Sequence, residues 1–359
     1  MGAEPEERPL DEDAPAAVLL DDEAAAALLP DRPARAHKGT FGRLLVLAGS
    51  LEYAGAALLV GAAAARSGAG LVTLAVPASL QAVFAGRVFE LTTLGLPEGE
   101  PGIVDPVAAV AALAARQYEA LVIGPGLRPG PATADFVVRV LAGEGEDRQA
   151  GRATARAEGG TGPRSARADD GGRVPAVIDA EALNALAERP GWWRNQRRPA
   201  VLTPHPGEFG RLAASDPDLA RMRPAGGDAE RLAAATRAAR RWGHVVVLKG
   251  ARTVIAAPDS AAAVSPFENP ALASAGTGDV LSGTIGGLLA QGLSPWDAAR
   301  LGVHLHGMAG EAVRDALGDG GTLASDLLVQ LPLARRRLSA IRQRGRRPLG
   351  FAVPREERS

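Results

Sequence analysis

The sequence predicts an α/β protein with a mostly parallel sheet covered by helices on both faces. Two observations carry this prediction. Short continuous apolar runs recur at Arg43–Ala48, Leu71–Val76, Ala120–Ile123, Ala176–Ile178, Ala200–Leu202 and Val245–Leu248. They lack the in/out alternation of a one-sided sheet and have the length of strands buried on both faces. Between them lie stretches of helical character, so strand and helix alternate along the chain.

Taken in order, residues 1–17 are acidic and without periodicity, and read as a disordered tail. A short helix over Asp21–Leu29 is stopped by Pro30, which cannot continue a helical hydrogen-bond ladder. After the first strand, Gly49-Ser50 turns the chain and Ala56–Arg66 forms an alanine-rich helix. Further helices are expected at Asp105–Arg116, Ala132–Leu141, Ala182–Ala187 and Asp228–Trp242. Thr253–Ala256 and Ala261–Val264, joined through Pro258-Asp259, read as a β-hairpin near the sheet's edge. Two helices, Pro295–Leu317 and Leu323–Ile341, end the ordered chain, and residues 343–359 read as a second disordered tail.

The stretch from Ala142 to Arg173 contains no Val, Ile, Leu, Met or aromatic residue. Such a segment cannot bury enough apolar surface to offset its ordering entropy. It reads as a flexible surface insertion (142–173) within one domain spanning residues 18–342.

Composition narrows the function classes. With 46% hydrophobic but only 4% aromatic residues, the core must be mainly Ala, Val and Leu. Lys plus Arg number 40 against 41 Asp plus Glu, a balance that argues against a nucleic-acid or membrane-surface partner. Cysteine is absent, which excludes disulfides, thiol catalysis and zinc–thiolate sites. The acidic N-terminus is unlike a secretory signal, and no apolar run spans a bilayer, so a cytoplasmic location is expected.

The chemistry is expected around Asn269–Gly287, N-P-A-L-A-S-A-G-T-G-D-V-L-S-G-T-I-G-G. Ala275, Gly276, Thr277 and Gly278 form a loop poor in side chains, and Val280, Leu281, Thr284, Ile285, Leu288 and Leu289 follow at helical spacing. Free N–H groups and the positive dipole end of the helix therefore meet where an anion can sit. Asp279 in the first turn would repel that anion, yet the dipole keeps a carboxylate there ionised and available as a base. Taken alone, the loop fits equally well an acid that merely suits the dipole.

Other unusual residues gather at or beside strand ends, where ligands bind in open parallel sheets. They are His37–Gly42, Gly49-Ser50 with Gly55-Ala56-Ala57, Gly124-Pro125-Gly126-Leu127, Asp179–Asn184, Thr203–Glu208 and Lys249-Gly250-Ala251. Each has an innocent explanation as turn, cap or exposed strand end. Together they supply a phosphate-binding set: Lys249 beside glycine for phosphate, Asn184 and Glu208 as oxygen ligands for Mg²⁺, and Asp279 to accept a proton from an attacking hydroxyl.

The ordered succession H-K-G-T-F-G-R-L-L-V-L-A-G-S, G-A-G-L-V-T-L-A-V-P, V-I-G-P-G-L, V-I-D-A-E-A-L-N-A-L, L-T-P-H-P-G-E, V-L-K-G-A-R-T-V-I-A and N-P-A-L-A-S-A-G-T-G-D-V-L-S-G resembles the ADP/ATP-dependent NAD(P)H-hydrate dehydratases. The resemblance runs from about Asp21 to Leu338. It implies a ribokinase-like three-layer α/β/α fold and a stand-alone dehydratase, with no epimerase domain preceding His37. It also implies a reaction: ADP, or ATP, activates the C6 hydroxyl of the S epimer of hydrated NAD(P)H, and phosphate is then eliminated.

The implied hydrate pocket includes Ala56, Gly126, His205 and Asp279. The implied ADP site includes Lys249, Gly250, Ala251, Arg252, Thr253 and Gly278. A homotetramer, Mg²⁺ and an epimerase on a separate chain are implied as well. The chain departs from the family pattern at Arg128, Glu268 and Ala275, the last being acceptable only with a negative φ. An ATP-dependent kinase acting on a sugar or vitamin alcohol is the alternative from the same superfamily.

Overall fold

A computed structural model describes residues 17–144, 173–196 and 198–345. Its centre is a ten-stranded sheet in the order β1-β12-β11-β10-β9-β8-β7-β2-β3-β4. The strands are β1 (Ala17–Leu19), β2 (Arg43–Leu47), β3 (Leu71–Pro77), β4 (Thr92–Leu96), β7 (Ala120–Ile123), β8 (Ala176–Ile178), β9 (Ala200–Leu202), β10 (Val245–Leu248), β11 (Val254–Ala256) and β12 (Ala262–Val264). All run the same way except β11, which is antiparallel to both β10 and β12. The expected hairpin therefore stands one strand in from the edge, because β1 pairs with β12 beyond it. Glu98–Glu100 (β5) and Ile103–Val104 (β6) make a separate two-stranded ribbon.

The pleat divides the apolar strand residues between two cores. Leu44, Val46, Val122, Val177, Val201 and Val247 face one side. There they meet α1 (Asp22–Ala27), α2 (Ala54–Ser67), α9 (Thr277–Ala290), α10 (Pro295–Leu317) and α11 (Ala324–Gly345). Leu45, Leu47, Leu121, Ile123, Ile178, Leu202 and Leu248 face the other. That side is covered by α4 (Pro106–Leu113), α5 (Pro131–Ala142), α6 (Glu181–Ala187), α7 (Pro206–Ala213) and α8 (Asp228–Trp242). The short α3 (Gln81–Ala85) follows β3. Successive residues of a strand point to opposite faces, so these uniformly apolar runs are what two helical layers require.

The closest helix contact positions the site. A Cβ on Gly283 would fall 2.2 Å from the Val60 carbonyl oxygen, and one on Gly287 would fall 2.7 Å from that of Ala64. Helix α9 thus lies backbone against backbone on α2, which only glycine permits.

Several sequence expectations shift. Ala17, read as tail, opens β1, and α11 continues to Gly345, past the expected boundary at 342. Most of the 142–173 insertion and of the two tails lies outside the described residues. The His37–Gly42 segment precedes β2 and packs at the rim opposite the strands' carboxyl ends. There the Gly42 backbone meets the carbonyl of Ala290, the last residue of α9.

Candidate active site

Because β10, β9, β8, β7 and β2 are parallel neighbours, their carboxyl ends form one rim. Lys249, Thr203, Asp179, Gly124 and Ala48 follow the last residues of these strands in that order. Gly124 has φ +120°, and a Cβ there would sit 1.9 Å from the Asp179 carbonyl oxygen. Gly126 (φ +64°) lies against Ala56 in the first turn of α2. One turn further on, Leu59 approaches Gly276, the N-cap of α9. These contacts bring Ala56, Gly126 and the glycine loop to one place.

The loop reaches α9 through Gly276, whose φ of +87° is left-handed. Its geometry is closed from within by the Thr277 hydroxyl, which donates to the carbonyls of Leu272 (2.8 Å) and Ser274 (2.9 Å). The N–H groups of Ala275, Gly276, Gly278 and Asp279 have no partner among the described residues. Unpaired amides at a helix N-terminus are suited to an anion. Ala275 is not among the residues with positive φ, so the alanine is accommodated without strain.

Asp279 stands in the first turn of α9. Burial, and then the nearby Asp179 carboxylate, push its pKa up to about 7 against the opposing charge of Lys249. Lys249 Nζ lies 2.9 Å from Asp179 Oδ1 and 3.6 Å from Glu208 Oε2. Burial works against its charge, but those two carboxylates hold its pKa above the ordinary lysine value. The side chain of Asp179 is itself fixed, since the Ser282 hydroxyl donates to Oδ2 at 2.6 Å. Gly278 leaves room above the ammonium, as a Cβ there would be 3.5 Å from Nζ.

The expected nucleotide segment Lys249–Thr253 wraps a buried arginine. Arg231, from α8, donates to the Ala251 carbonyl and to those of Leu248 and Lys249, both at 3.4 Å. Burial lowers its pKa, with Asp228 opposing the shift. Thr253 Oγ1 donates to the Gly250 carbonyl at 2.9 Å. Within the segment the amides of Lys249 and Arg252 donate to the carbonyls of Pro204 and Phe267, both at 2.9 Å, and Arg252 adopts φ +51°. Arg252 forms ion pairs with Asp228 (3.3 Å) and Glu268 (3.9 Å). The charge of Glu268 is thus directed at an arginine of the expected nucleotide segment.

The remaining expected residues have other tasks. His205 caps α7: its Nδ1 accepts from Gly207 N at 3.0 Å and Glu208 N at 3.4 Å, and its ring is half exposed. Glu208 completes this capping box by accepting from His205 N at 2.8 Å. Asn184 Oδ1 accepts from Arg211 Nε at 2.9 Å, and its amide donates to Glu181 at 3.0 Å. Glu208 also lies 3.6 Å from Lys249, and no metal-holding group of three or more His, Asp or Glu occurs among the described residues. Arg128 lines a small cleft of about 120 Å³ with Leu51, Glu52 and Ser79.

Sequence reasoning left four contributors without a role. Asp179 ends a strand at the rim, and Ser282 follows Asp279 by three residues on the same helix, so both carried a local signal. Arg231 and His306 carried none. His306, buried in α10, donates from Nε2 to the Thr277 carbonyl at 2.9 Å. Burial pushes its pKa down to about 4, so the ring is neutral at physiological pH, and the donation fixes its tautomer.

This architecture is shared with solved structures. A ribokinase-like superfamily protein from Enterococcus faecalis V583 superposes with a TM-score of 0.68 at 23% identity, over 93% of this chain and 99% of that one. The fold is therefore ribokinase-like. The sequence profile of the Carb_kinase family, described as NAD(P)H-hydrate dehydratase, matches residues 44–145 and 168–333. The ADP/ATP-dependent NAD(P)H-hydrate dehydratase from Bacillus subtilis, co-crystallised with ATP/Mg²⁺, is 30% identical with a TM-score of 0.68, covering 91% of this chain and 100% of its own. The bifunctional NAD(P)H-hydrate repair enzyme Nnr of Moorella thermoacetica is 41% identical over 86% of this chain and 52% of its own length. The Salinibacter ruber enzyme of the same name is 38% identical over 84% and 50%. This chain belongs to the NAD(P)H-hydrate dehydratase family, and it spans about half the length of these curated relatives.

Proposed function

We propose that the chain dehydrates the S epimer of NAD(P)H hydrate to NAD(P)H, converting ADP to AMP and phosphate. The observation that carries this reading is Asp279: a base with a pKa of about 7, one turn inside a helix whose outer amides are unpaired. Such a base is matched to proton transfer near neutral pH. In this reading Asp279 takes the proton of the substrate's C6 hydroxyl as the oxygen attacks the β-phosphoryl of ADP. An O–P bond forms and the bond to AMP breaks. The amides of Ala275–Gly278, with Lys249, meet the charge on the transferring oxygens. The C6–O bond then breaks as phosphate leaves, a proton is lost from C5 to solvent, and the C5=C6 double bond of the ring is restored.

Ala56, Gly126 and His205 border the hydrate, while Lys249–Thr253 and Gly278 border the nucleotide. Mg²⁺ comes with the nucleotide, whose phosphates supply ligands, and Asn184 and Glu208 are the residues of this chain that would complete its shell. The reading extends to a cytoplasmic homotetramer that works alongside an epimerase activity. In keeping with it, the charge is near neutral and no helix among the described residues is long and apolar enough to cross a membrane.

Incubating NADHX with the protein and either ADP or ATP, and following the absorbance of NADH, tests the proposal. Appearance of NADH with one nucleotide supports it, and none with either overturns it.

A further inference from the structure

Four charged side chains meet beneath the first turn of α9, and among the described residues Asp279 alone of the four forms no ion pair. Lys249 is bound to Asp179 at 2.9 Å and approaches Glu208 at 3.6 Å, while no ion pair joins it to Asp279. Asp179 is almost fully buried and could not hold the lysine if it rotated freely, but Ser282 fixes its second oxygen at 2.6 Å. Ser282 lies on α9 three residues beyond Asp279, so one helix carries both the base and the anchor of its neighbour. The other ionisable group beside this turn, His306 from α10, is neutral and committed to the Thr277 carbonyl. An ammonium ion free to pair with Asp279 would keep its carboxylate ionised but make it a poor proton acceptor.

We propose that Asp179 is a positioning residue for proton transfer at Asp279. Pinned by Ser282, it holds the Lys249 ammonium at the nucleotide side of Gly278 and away from the base. The inference rests on the dehydratase reading for the reaction that Asp279 performs, but the contacts it invokes do not depend on that reading.

The test follows Asp279 directly. Carbon-detected NMR titration of its side-chain carboxyl, without substrate, is compared in wild type, Asp179→Asn and Ser282→Ala. Asp179→Asn removes one negative charge and leaves the lysine to Glu208 alone, so the Asp279 midpoint moves to lower pH by about one unit or more. Ser282→Ala gives a smaller shift of the same sign. The acid limb of kcat/KM for hydrate dehydration moves with the midpoint, which a purely structural role would not cause. An unmoved Asp279 midpoint in folded Asp179→Asn overturns the proposal; should that variant not fold, an unmoved midpoint in Ser282→Ala does so. Wild-type protein inactive on the hydrate would instead overturn the dehydratase reading and leave the titration result standing.

Discussion

His306 Nε2 lies 2.9 Å from the carbonyl oxygen of Thr277, the first residue of the helix that carries Asp279. The bond ties the middle of α10 to the start of α9. His306→Ala removes a buried donor and opens a cavity, at a cost of about 1–3 kcal/mol from the lost hydrogen bond alone. Thermal unfolding should show this loss, with kcat reduced by more than the change in KM for either substrate. Unchanged stability would mean that the bond does not support the helix start.

Asp279→Asn is expected to fold and bind ADP while losing about 10² to 10⁴ of the turnover rate. Retention of more than about a tenth of wild-type activity rules out its role as base. Because the pKa is raised to about 7, the working carboxylate is lost as pH falls, and wild-type rate should decline through neutrality. Stability follows the opposite course. Between about pH 4 and 7 the folded chain binds more protons at this position than the unfolded one, so stability falls as pH rises through that window. The asparagine variant escapes this fall, and its Tm should exceed that of wild type at pH 8 but not at pH 4.

Arg231→Met leaves the carbonyls of Leu248, Lys249 and Ala251 without their shared donor. The segment Lys249–Thr253 should lose its fixed path, raising the KM for ADP several-fold with a smaller effect on the KM for the hydrate. Equal effects on both, in steady-state kinetics at saturating co-substrate, would show that the arginine supports the whole rim rather than the nucleotide segment.

Glu268→Gln removes one of the two acidic partners of Arg252. Both side chains are largely exposed, so stability should change by less than about 0.5 kcal/mol. Freed from part of its competition, Arg252 should bind the nucleotide more tightly, and calorimetry should show a few-fold lower Kd for ADP. An unchanged Kd would place Arg252 outside the nucleotide's reach.

Much of the fold was legible because the strong local signals agreed with the tertiary structure. The run Val245–Leu248 coincides with β10, and Asp228–Trp242 with α8. What escaped was locally weak: β4, Thr92–Leu96, is interrupted by Gly95, and β1 is three exposed residues on the sheet's edge. The Asn184–Glu208 pair illustrates the limit at the site. Both carry side-chain oxygens near strand ends; Glu208 is held by the local capping box with His205, whereas the Asn184 partner, Arg211, is set by packing between α6 and α7 that no spacing rule reveals. Asp179 escaped assignment for the same reason, since Ser282, which fixes it, is 103 residues away in sequence.

The glycine seam between α9 and α2 has a mechanical consequence. Where helices meet through interleaved side chains, small sliding motions are absorbed by rotamer changes. Here Gly283 and Gly287 bring peptide units together with no such cushion, so α9 cannot ratchet or tilt without separating two backbones. Its N-terminus, with Asp279, behaves as a fixed anvil, and adjustment to an arriving dinucleotide falls to the strand-end loops.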